Sequence, residues 1–324
     1  MIGIKDVAKK AGVSVSTVSN VINGKKNVGE ETRERVNQIC KELSYYPNAA
    51  GRNLKSRDNK TILFNFSDFD RSFYLKIING ISDYANDNGY DLIICTNKSC
   101  EKNIRSNLTS GCIILDSRMK TDFIKSVARK QYPIVVLDRI VTHEYIKSIV
   151  VDNYDSMCEL VQGVIDRGYK RFAFIGGLEN TADNKERYKA FIDVLEQNHI
   201  TFRRENYFTG DYREKGGYKA AKILMLSERL PEVLICANDN MAIGAMKAFR
   251  ENGLKVPEDI AITGFDNCDL AEATGLTTVA IPNYERGYLA AQYLIENMQG
   301  NHNVNLFKIS AKVKWRKTTS SKVR

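Results

Sequence analysis

The sequence predicts an α/β protein with a short N-terminal helix-turn-helix unit and a core of two lobes, each built on a parallel, doubly wound sheet. Helical repeats fill residues 1–46, and from residue 61 onwards apolar strand-like runs alternate with amphipathic helical patterns. Such alternation is typical of parallel sheets covered by helices on both faces, and a run of this length divides naturally into two lobes. Ligands of these folds bind outside the carboxyl ends of the strands.

The N-terminal unit begins with two short helices joined by a glycine turn. Residues 4–11 show the i, i+3, i+4, i+7 apolar spacing of a helix, and Gly12 ends it. Ser14 is placed to cap a second helix, which Asn23 and Gly24 end. The predicted buried face of this second helix is Val15, Val18 and either Val21 or Ile22.

The second helix has a polar outer face. A third helix opens at Gly29, where Glu30 and Glu31 lie at the positive end of the helix dipole. The third helix is expected to bury Val36, Ile39, Cys40 and Leu43. The outer face of the second carries Ser16, Thr17, Ser19 and Asn20. These side chains are short enough to reach base edges and phosphates of DNA. A polar helix face in water fits the same residues equally well, because helix-turn-helix geometry also occurs in proteins that do not bind DNA.

The core shows strand and helix patterns in alternation. Helical patterns lie at 73–88, 155–167, 184–198, 214–227 and 240–252. Strand-like apolar runs lie at 61–66, 91–95, 112–115, 134–137, 148–151, 171–175, 233–236 and 259–263. The order of these segments predicts parallel strands connected by helices.

The net charge of +9 is concentrated at the N-terminal end. The first 60 residues hold 12 Lys and Arg against 6 Asp and Glu, whereas the other 264 hold 36 against 33. A basic end on a nearly neutral body suggests an anionic partner for that end, although a merely soluble surface fits as well. The seven cysteines include no C-x-x-C pair, and no signal-peptide or membrane-span pattern is present. We therefore expect free thiols, no membrane association and a cytoplasmic location.

The sequence offers no pattern typical of catalysis. It contains no glycine-rich phosphate loop, no Cys/His metal cluster and no G-x-S-x-G turn. Its three histidines, His143, His199 and His302, stand in no recognisable constellation. We predict a protein that is not an enzyme, with no catalytic residues, no metal site and no cofactor.

Several stretches together resemble the LacI/GalR family of bacterial transcription regulators. "IGIKDVAKKAGVSVSTVSNVINGKKNVGEETRERV" resembles that family's DNA-binding headpiece, and "YYPNAAGRNLKS" resembles its hinge. "RFAFIGG", "ERYKAFIDVL", "CANDNMAIGAMKAFRENGLKVPEDIAITGFDN" and "LTTVAIPNYERGYLAAQYLI" resemble successive blocks of its effector-binding core. The resemblance implies a headpiece over 1–46, a hinge over 47–60 and a periplasmic-binding-protein-like core over 61–324. The core lobes would span about 61–152 and 153–281, with C-terminal segments crossing between them.

The family implies that the second helix enters the major groove of double-stranded DNA and that a homodimer binds a pseudo-palindromic operator. Leu54 stands at the position of a hinge residue that opens a central base step in the minor groove. An Asn at position 20 can bond adenine N6 and N7 at once, which motivates an adenine contact. The implied DNA-binding residues are Lys5, Ser14, Ser16, Thr17, Ser19, Asn20, Asn23, Thr32, Arg52, Leu54 and Lys55.

The family also implies a small-molecule effector, with a carbohydrate or sugar phosphate favoured, bound between the lobes. Aromatic rings offer flat faces to a sugar, while guanidinium, amide and carboxylate groups bond its hydroxyls. Arg71 either contacts an anionic group or pairs with Asp70 or a hydroxyl. A partner protein as co-effector, or a small-molecule-binding protein without a DNA-regulated role, remains an alternative. The implied effector residues are Asp68, Arg71, Phe73, Tyr74, Arg187, Tyr212, Asn238, Asp239 and Asp266.

Overall fold

A computed structural model describes residues 2–25, 27–45, 59–69, 73–96, 98–106, 108–300 and 307–320. The chain divides into two compact units, residues 1–59 and 60–324. Most of the predicted hinge, with Arg52, Leu54 and Lys55, lies outside the described residues, as does Arg71. Those assignments stay predictions. Among the residues described, no helix is long and apolar enough to cross a membrane.

The N-terminal unit contains the expected helices α1 (Ile4–Ala11), α2 (Val15–Ile22) and α3 (Glu30–Glu42). Gly12 ends α1 in the left-handed conformation at φ 66°, which glycine adopts without steric cost. The Ser14 hydroxyl accepts a hydrogen bond of 3.1 Å from the Thr17 backbone N–H and so caps α2. Both predicted caps are confirmed. They could be predicted because each depends only on residues close by in the sequence.

The small core of this unit differs from the prediction at Val15. Val18 and Val36 are fully buried and Val21 is 5% exposed, so the third position of the predicted face is Val21, with Ile22 only partly buried. The prediction that Val15 faces inward is wrong, because its side chain is 41% exposed. Val13, which precedes the cap, packs against the cluster instead. The apolar stripe of α2 therefore begins one turn later than predicted.

The first lobe of the core contains a parallel sheet with strand order β11-β5-β4-β3-β1-β2. Its helices are α4 (Phe73–Asp87), α5 (Lys98–Arg105), α6 (Thr121–Val127) and α12 (Asn283–Met298). Its strands are β1 (Thr61–Phe66), β2 (Asp91–Thr96), β3 (Gly111–Leu115), β4 (Ile134–Val136), β5 (Ile146–Val151) and β11 (Phe307–Ile309).

The second lobe has the strand order β12-β10-β9-β8-β6-β7, with β12 antiparallel to β10 and the other pairs parallel. Its helices are α7 (Asn153–Asp166), α8 (Ala182–Gln197), α9 (Glu214–Leu224), α10 (Asp239–Glu251) and α11 (Asp269–Ala273). Its strands are β6 (Phe172–Gly176), β7 (Tyr207–Thr209), β8 (Val233–Cys236), β9 (Ala261–Asp266), β10 (Thr277–Ala280) and β12 (Lys312–Lys314).

The chain crosses between the two lobes after β5, after β10 and after β11. Helix α12 follows the second lobe in sequence but fills the core of the first, where Ala290, Ala291 and Leu294 are fully buried. It lies very close to α4, since a Cβ atom on Gly80 would come within 2.1 Å of the Tyr284 carbonyl oxygen. Both lobes thus place the carboxyl ends of their strands toward one cleft.

Candidate functional site

The outer face of α2 is polar and carries the residues predicted to meet DNA. Ser14 Oγ lies 2.7 Å from Ser16 Oγ and 2.8 Å from Thr17 Oγ1, so hydroxyls cluster at the start of the helix. In the described headpiece, the first turn of α2 contains no acidic residue. The positive end of the helix dipole therefore faces outward without a neutralising carboxylate, which suits a phosphate.

The predicted DNA-binding residues of the headpiece are all accessible to some degree. Lys5, Ser14, Ser16 and Asn23 are exposed, and Thr17, Ser19, Asn20 and Thr32 are half-buried. The Asn23 side-chain amide donates a hydrogen bond of 3.3 Å to the Ser19 hydroxyl. The polar face can thus offer donors and acceptors to a groove without breaking the small apolar core.

A cavity of about 380 Å³ lies between the two lobes of the core. Its walls come from loops at the carboxyl ends of strands in both sheets, as expected for doubly wound folds. Two described members of the predicted set, Asp68 and Asp239, are not brought to its wall. The predicted effector residues that line it are Phe73, Tyr74, Arg187, Tyr212, Asn238 and Asp266.

Tyr212 forms part of the cleft wall although it is almost fully buried. Its side chain is 4% exposed, and its hydroxyl donates a hydrogen bond of 2.9 Å to the Asp183 carboxylate. Burial, with the nearby charge of Asp183, raises the pKa of Tyr212 well above its usual value. Gly177 makes room for the ring, because a Cβ atom there would lie 2.0 Å from Tyr212 Cζ. The expected open aromatic face is therefore largely covered.

Asp239 and Asp68 do not line the cleft, and both contact other parts of the protein. The buried Asp239 carboxylate accepts hydrogen bonds from the Thr278 hydroxyl at 2.5 Å and the Cys268 backbone N–H at 2.7 Å. Burial, together with the negative charge of Asp266, raises the pKa of Asp239 to about 7. Asp68 forms an ion pair of 3.4 Å with Arg213, which joins the first lobe to the second.

Two predicted polar residues line the cleft while bonding to the protein itself. Asn238 caps α10, because its side-chain oxygen accepts from the Met241 backbone N–H at 3.1 Å and its amide donates to the Tyr212 carbonyl at 3.0 Å. Arg187 donates from Nε to the Asn153 side-chain oxygen at 2.9 Å and from Nη1 to the Ala237 carbonyl at 2.5 Å. These bonds hold both side chains in fixed positions at the cleft.

Charged residues that the sequence patterns did not single out also line the cavity. Arg139 donates from Nη1 to the Asp138 carboxylate at 3.0 Å directly after β4. Burial, partly offset by Arg139, raises the pKa of Asp138 to about 6. Arg286, on α12, is 5% exposed and donates from Nη2 to the Leu137 carbonyl oxygen.

The sequence contained a signal for each of these residues. Asp138 and Arg139 form a charged pair at the carboxyl end of an apolar run, the position where parallel sheets bind ligands. Arg286 is a charge on the buried stripe of an amphipathic helix, between Asn283 and Ala290. Among the described residues, no three metal-binding side chains come together. The cleft can therefore bind a polar small molecule through aromatic faces, hydroxyls and charges.

Known protein families match both the headpiece and the core of the chain. Residues 3–48 match the family described as bacterial regulatory proteins, lacI family, and residues 161–319 match the periplasmic binding protein-like domain. The HTH-type transcriptional repressor CytR of Escherichia coli (strain K12) is 32% identical over 308 residues, covering 92% of this chain and 90% of that protein.

Solved structures match the fold of the chain. The lac repressor bound to ONPG in its repressed state matches with a TM-score of 0.80 at 25% identity, covering 98% of this chain and 99% of that one. A LacI family transcriptional regulator from Enterococcus faecium with bound ribose matches with a TM-score of 0.74 at 25% identity, covering 81% and 99%. On the similarity to CytR over 92% of its length, the chain belongs to the lacI family of bacterial regulatory proteins and is a DNA-binding transcriptional regulator, not an enzyme.

Proposed function

We propose that the protein is a homodimeric, cytoplasmic repressor of carbohydrate genes whose affinity for a pseudo-palindromic DNA operator changes when a carbohydrate binds in the cleft. The observation that carries this proposal is the cavity of about 380 Å³ with walls from both lobes. Cavities of this size accept small molecules. The relatives support the rest, since one is a transcriptional repressor and another holds ribose.

On the DNA side, α2 enters the major groove and reads bases through Ser16, Thr17 and Asn20. Phosphate contacts supply most of the affinity, which makes binding steeply salt-dependent. Leu54 of the hinge opens the central base step, flanked by Arg52 and Lys55. The proposed phosphate contacts of the headpiece come from Lys5, Ser14, Ser19, Asn23 and Thr32.

On the effector side, the lobes 61–152 and 153–281 close around the ligand and shift the hinge between a DNA-binding and a released state. Phe73 offers an aromatic face from the first lobe, with the buried Tyr74 ring packed against it at 4.3 Å between centroids, and Arg187 and Asp266 offer polar groups from the second. Arg71 completes the proposed set, while Asp68 and Asp239 support it indirectly through their contacts with Arg213 and Thr278. Ligand binding to one conformation is sufficient to shift the balance between the two.

The test is fluorescence anisotropy of the full-length chain on an operator selected from random-sequence DNA, with and without a panel of mono- and disaccharides, sugar acids and sugar phosphates. We expect at least one carbohydrate to change the operator Kd by about fivefold or more, the lower range of allosteric coupling. Phe73→Ala should abolish that response. Arg203→Gln is the matched control, because Arg203 is an exposed residue of the second lobe that does not line the cavity.

Two results would contradict the proposal. If no DNA sequence is enriched, the DNA-binding role fails. If an operator is bound but no carbohydrate changes its Kd, carbohydrate control fails, and a partner protein as co-effector becomes the better interpretation.

A further inference from the structure

Two buried guanidinium groups, those of Arg187 and Arg286, line the same cavity. Each residue is 5% exposed. Arg187 comes from α8 in the second lobe and Arg286 from α12, the helix packed in the first lobe. An arginine remains protonated at physiological pH, so this cleft holds two desolvated positive charges.

The bonding partners of both guanidinium groups are neutral. Arg187 bonds the Asn153 amide oxygen and the Ala237 carbonyl, and it lies 3.8 Å over the Phe265 ring. Arg286 bonds the Leu137 carbonyl oxygen, and its Nε atom is buried without a hydrogen-bond partner in the described part of the chain. Burial lowers the pKa of Arg286 to about 10; the negative charges of Asp138 and Asp266 oppose this shift in part, and the positive charge of Arg187 adds to it.

Among the described residues no carboxylate forms an ion pair with Arg286, although the charges of Asp138 and Asp266 act on it from a longer distance. The Asp138 carboxylate pairs with Arg139 at 3.0 Å, and the Asp183 carboxylate accepts from Tyr212 at 2.9 Å. Further basic side chains, Arg118 and Lys120, lie at the exposed rim. A buried cation without a close counter-ion is costly, and the cost is removed when an anion binds beside it.

We propose that the effector is a polyhydroxylated small molecule bearing one carboxylate or phosphate group, and that Arg286, with Arg187 opposite, binds that anionic group. The inference rests on the proposed function, because it names the chemical class of the effector for the same cleft. Asp138 and Asp266 accept hydrogen bonds from the hydroxyls of the remaining part of the molecule, and Phe73 covers its apolar face. At the rim, the exposed Lys120 adds a positive charge that attracts an anion, whereas Arg118 is paired with Asp116 at 3.2 Å.

The test compares matched pairs of probes by isothermal titration calorimetry on the full-length protein. Glucuronate and galacturonate represent carboxylates, glucose 6-phosphate and ribose 5-phosphate represent phosphates, and glucose, galactose and ribose are the neutral partners. We expect an acid to bind at least about tenfold more tightly than its neutral partner, and Arg286→Gln to remove that difference, because the charged partner is lost. Arg286→Lys should retain part of it, and Arg203→Gln should retain all of it.

A second readout does not need a ligand. If Arg286 is a buried charge without a counter-ion, Arg286→Gln should raise the urea midpoint of the ligand-free protein, whereas Arg203→Gln should leave it unchanged. The inference is overturned if neutral sugars bind as tightly as the acids, if no acid binds, or if acids bind Arg286→Gln and the parent chain equally.

These outcomes separate the inference from the proposed function. A neutral sugar that binds and changes operator affinity overturns the inference and leaves the proposed function standing. An acid that binds through Arg286 without changing operator affinity supports the inference and overturns carbohydrate control of DNA binding. Comparison of the carboxylate and phosphate arms identifies which anion the cleft prefers.

Discussion

The ammonium group of Lys76 lies 2.8 Å from the carboxylate of Asp269, and this ion pair joins helix α4 of the first lobe to helix α11 of the second. Both side chains are partly solvent-exposed, at 41% and 75%. Lys76 also donates to the Asn267 carbonyl at 3.4 Å. The pair therefore stabilises the arrangement in which the lobes are close together, by the modest amount typical of an exposed ion pair.

Lys76→Met or Asp269→Asn should weaken effector binding by up to about fivefold, because an exposed pair contributes about 0.2–1 kcal/mol to the closed form. A double-mutant cycle on the effector Kd measures the coupling. Lys247 and Glu214, 3.8 Å apart within the second lobe, are the matched control and should show no coupling to effector binding. Equal coupling in both cycles would contradict a role for Lys76 in lobe closure.

The close crossing of α4 and α12 depends on two glycines that face each other's helix backbone. A Cβ atom on Gly287 would lie 2.1 Å from the Ile77 carbonyl oxygen. Gly287→Ala should lower the free energy of unfolding by about 1–3 kcal/mol, because overpacking outweighs the gain in helix propensity. Urea denaturation measures the change. Gly216→Ala is the control, since the three atoms nearest to its Cβ would belong to the Asp211 side chain and not to a helix backbone, and an equal loss there would refute the argument.

Asp239 should make the stability of the core depend on pH. Burial raises its pKa to about 7, so the native protein takes up a proton as pH falls below 7, whereas the unfolded chain does so only near pH 4. Stability contributed by this group is therefore lost as pH rises from about 4 to 7. Asp239→Asn should remove a slope of about 1.4 kcal/mol per pH unit between pH 5 and 7.

Urea denaturation of the parent chain and of Asp239→Asn at several pH values gives the pH slope of the free energy of unfolding for each. Asp122→Asn provides the control, because it makes the same substitution at an exposed carboxylate. An unchanged slope in Asp239→Asn would show that the carboxylate titrates alike in the folded and unfolded chains.

Asn20 should determine the base at one operator position. Its amide can bond adenine N6 and N7 together, which is worth about 1–3 kcal/mol of discrimination. Asn20→Ala should therefore lower affinity for the adenine-containing operator and leave affinity for the other three bases nearly unchanged. Anisotropy on operators that vary at each position provides the measurement, with Asn37→Ala on α3 as an exposed control. Equal losses for all four bases would exclude an adenine contact.

The headpiece could be predicted nearly to the residue because its signals are local. Gly12 ends α1 and Ser14 caps α2 through bonds within a few residues. Val15 was misplaced because its burial depends on where the neighbouring helices end, which no local pattern contains. Propensity and capping therefore predict the helices, while the exact limits of the buried face depend on tertiary packing.

In the core, the long apolar runs all form strands, because strands of parallel sheets are buried on both faces. The strands β7, β10, β11 and β12 were not predicted, because their residues mix polar and apolar side chains, whereas the equally short β4 and β8 are uninterrupted apolar runs. The cleft could also be predicted only in part. Its loop residues follow recognisable strands, but Arg286 reaches it from a helix whose docking in the other lobe only the folded chain reveals.

The repeated crossing of the chain between the lobes has a consequence for synthesis on the ribosome. The first lobe lacks α12 and β11, and the second lacks β12, until the last part of the sequence has been made. A chain interrupted before α12 would leave Ile77 and Ile81 of α4 without the helix that covers them. Neither sheet has all its strands until the residues after 306 have been made, so the headpiece emerges long before the core that is proposed to control it is complete.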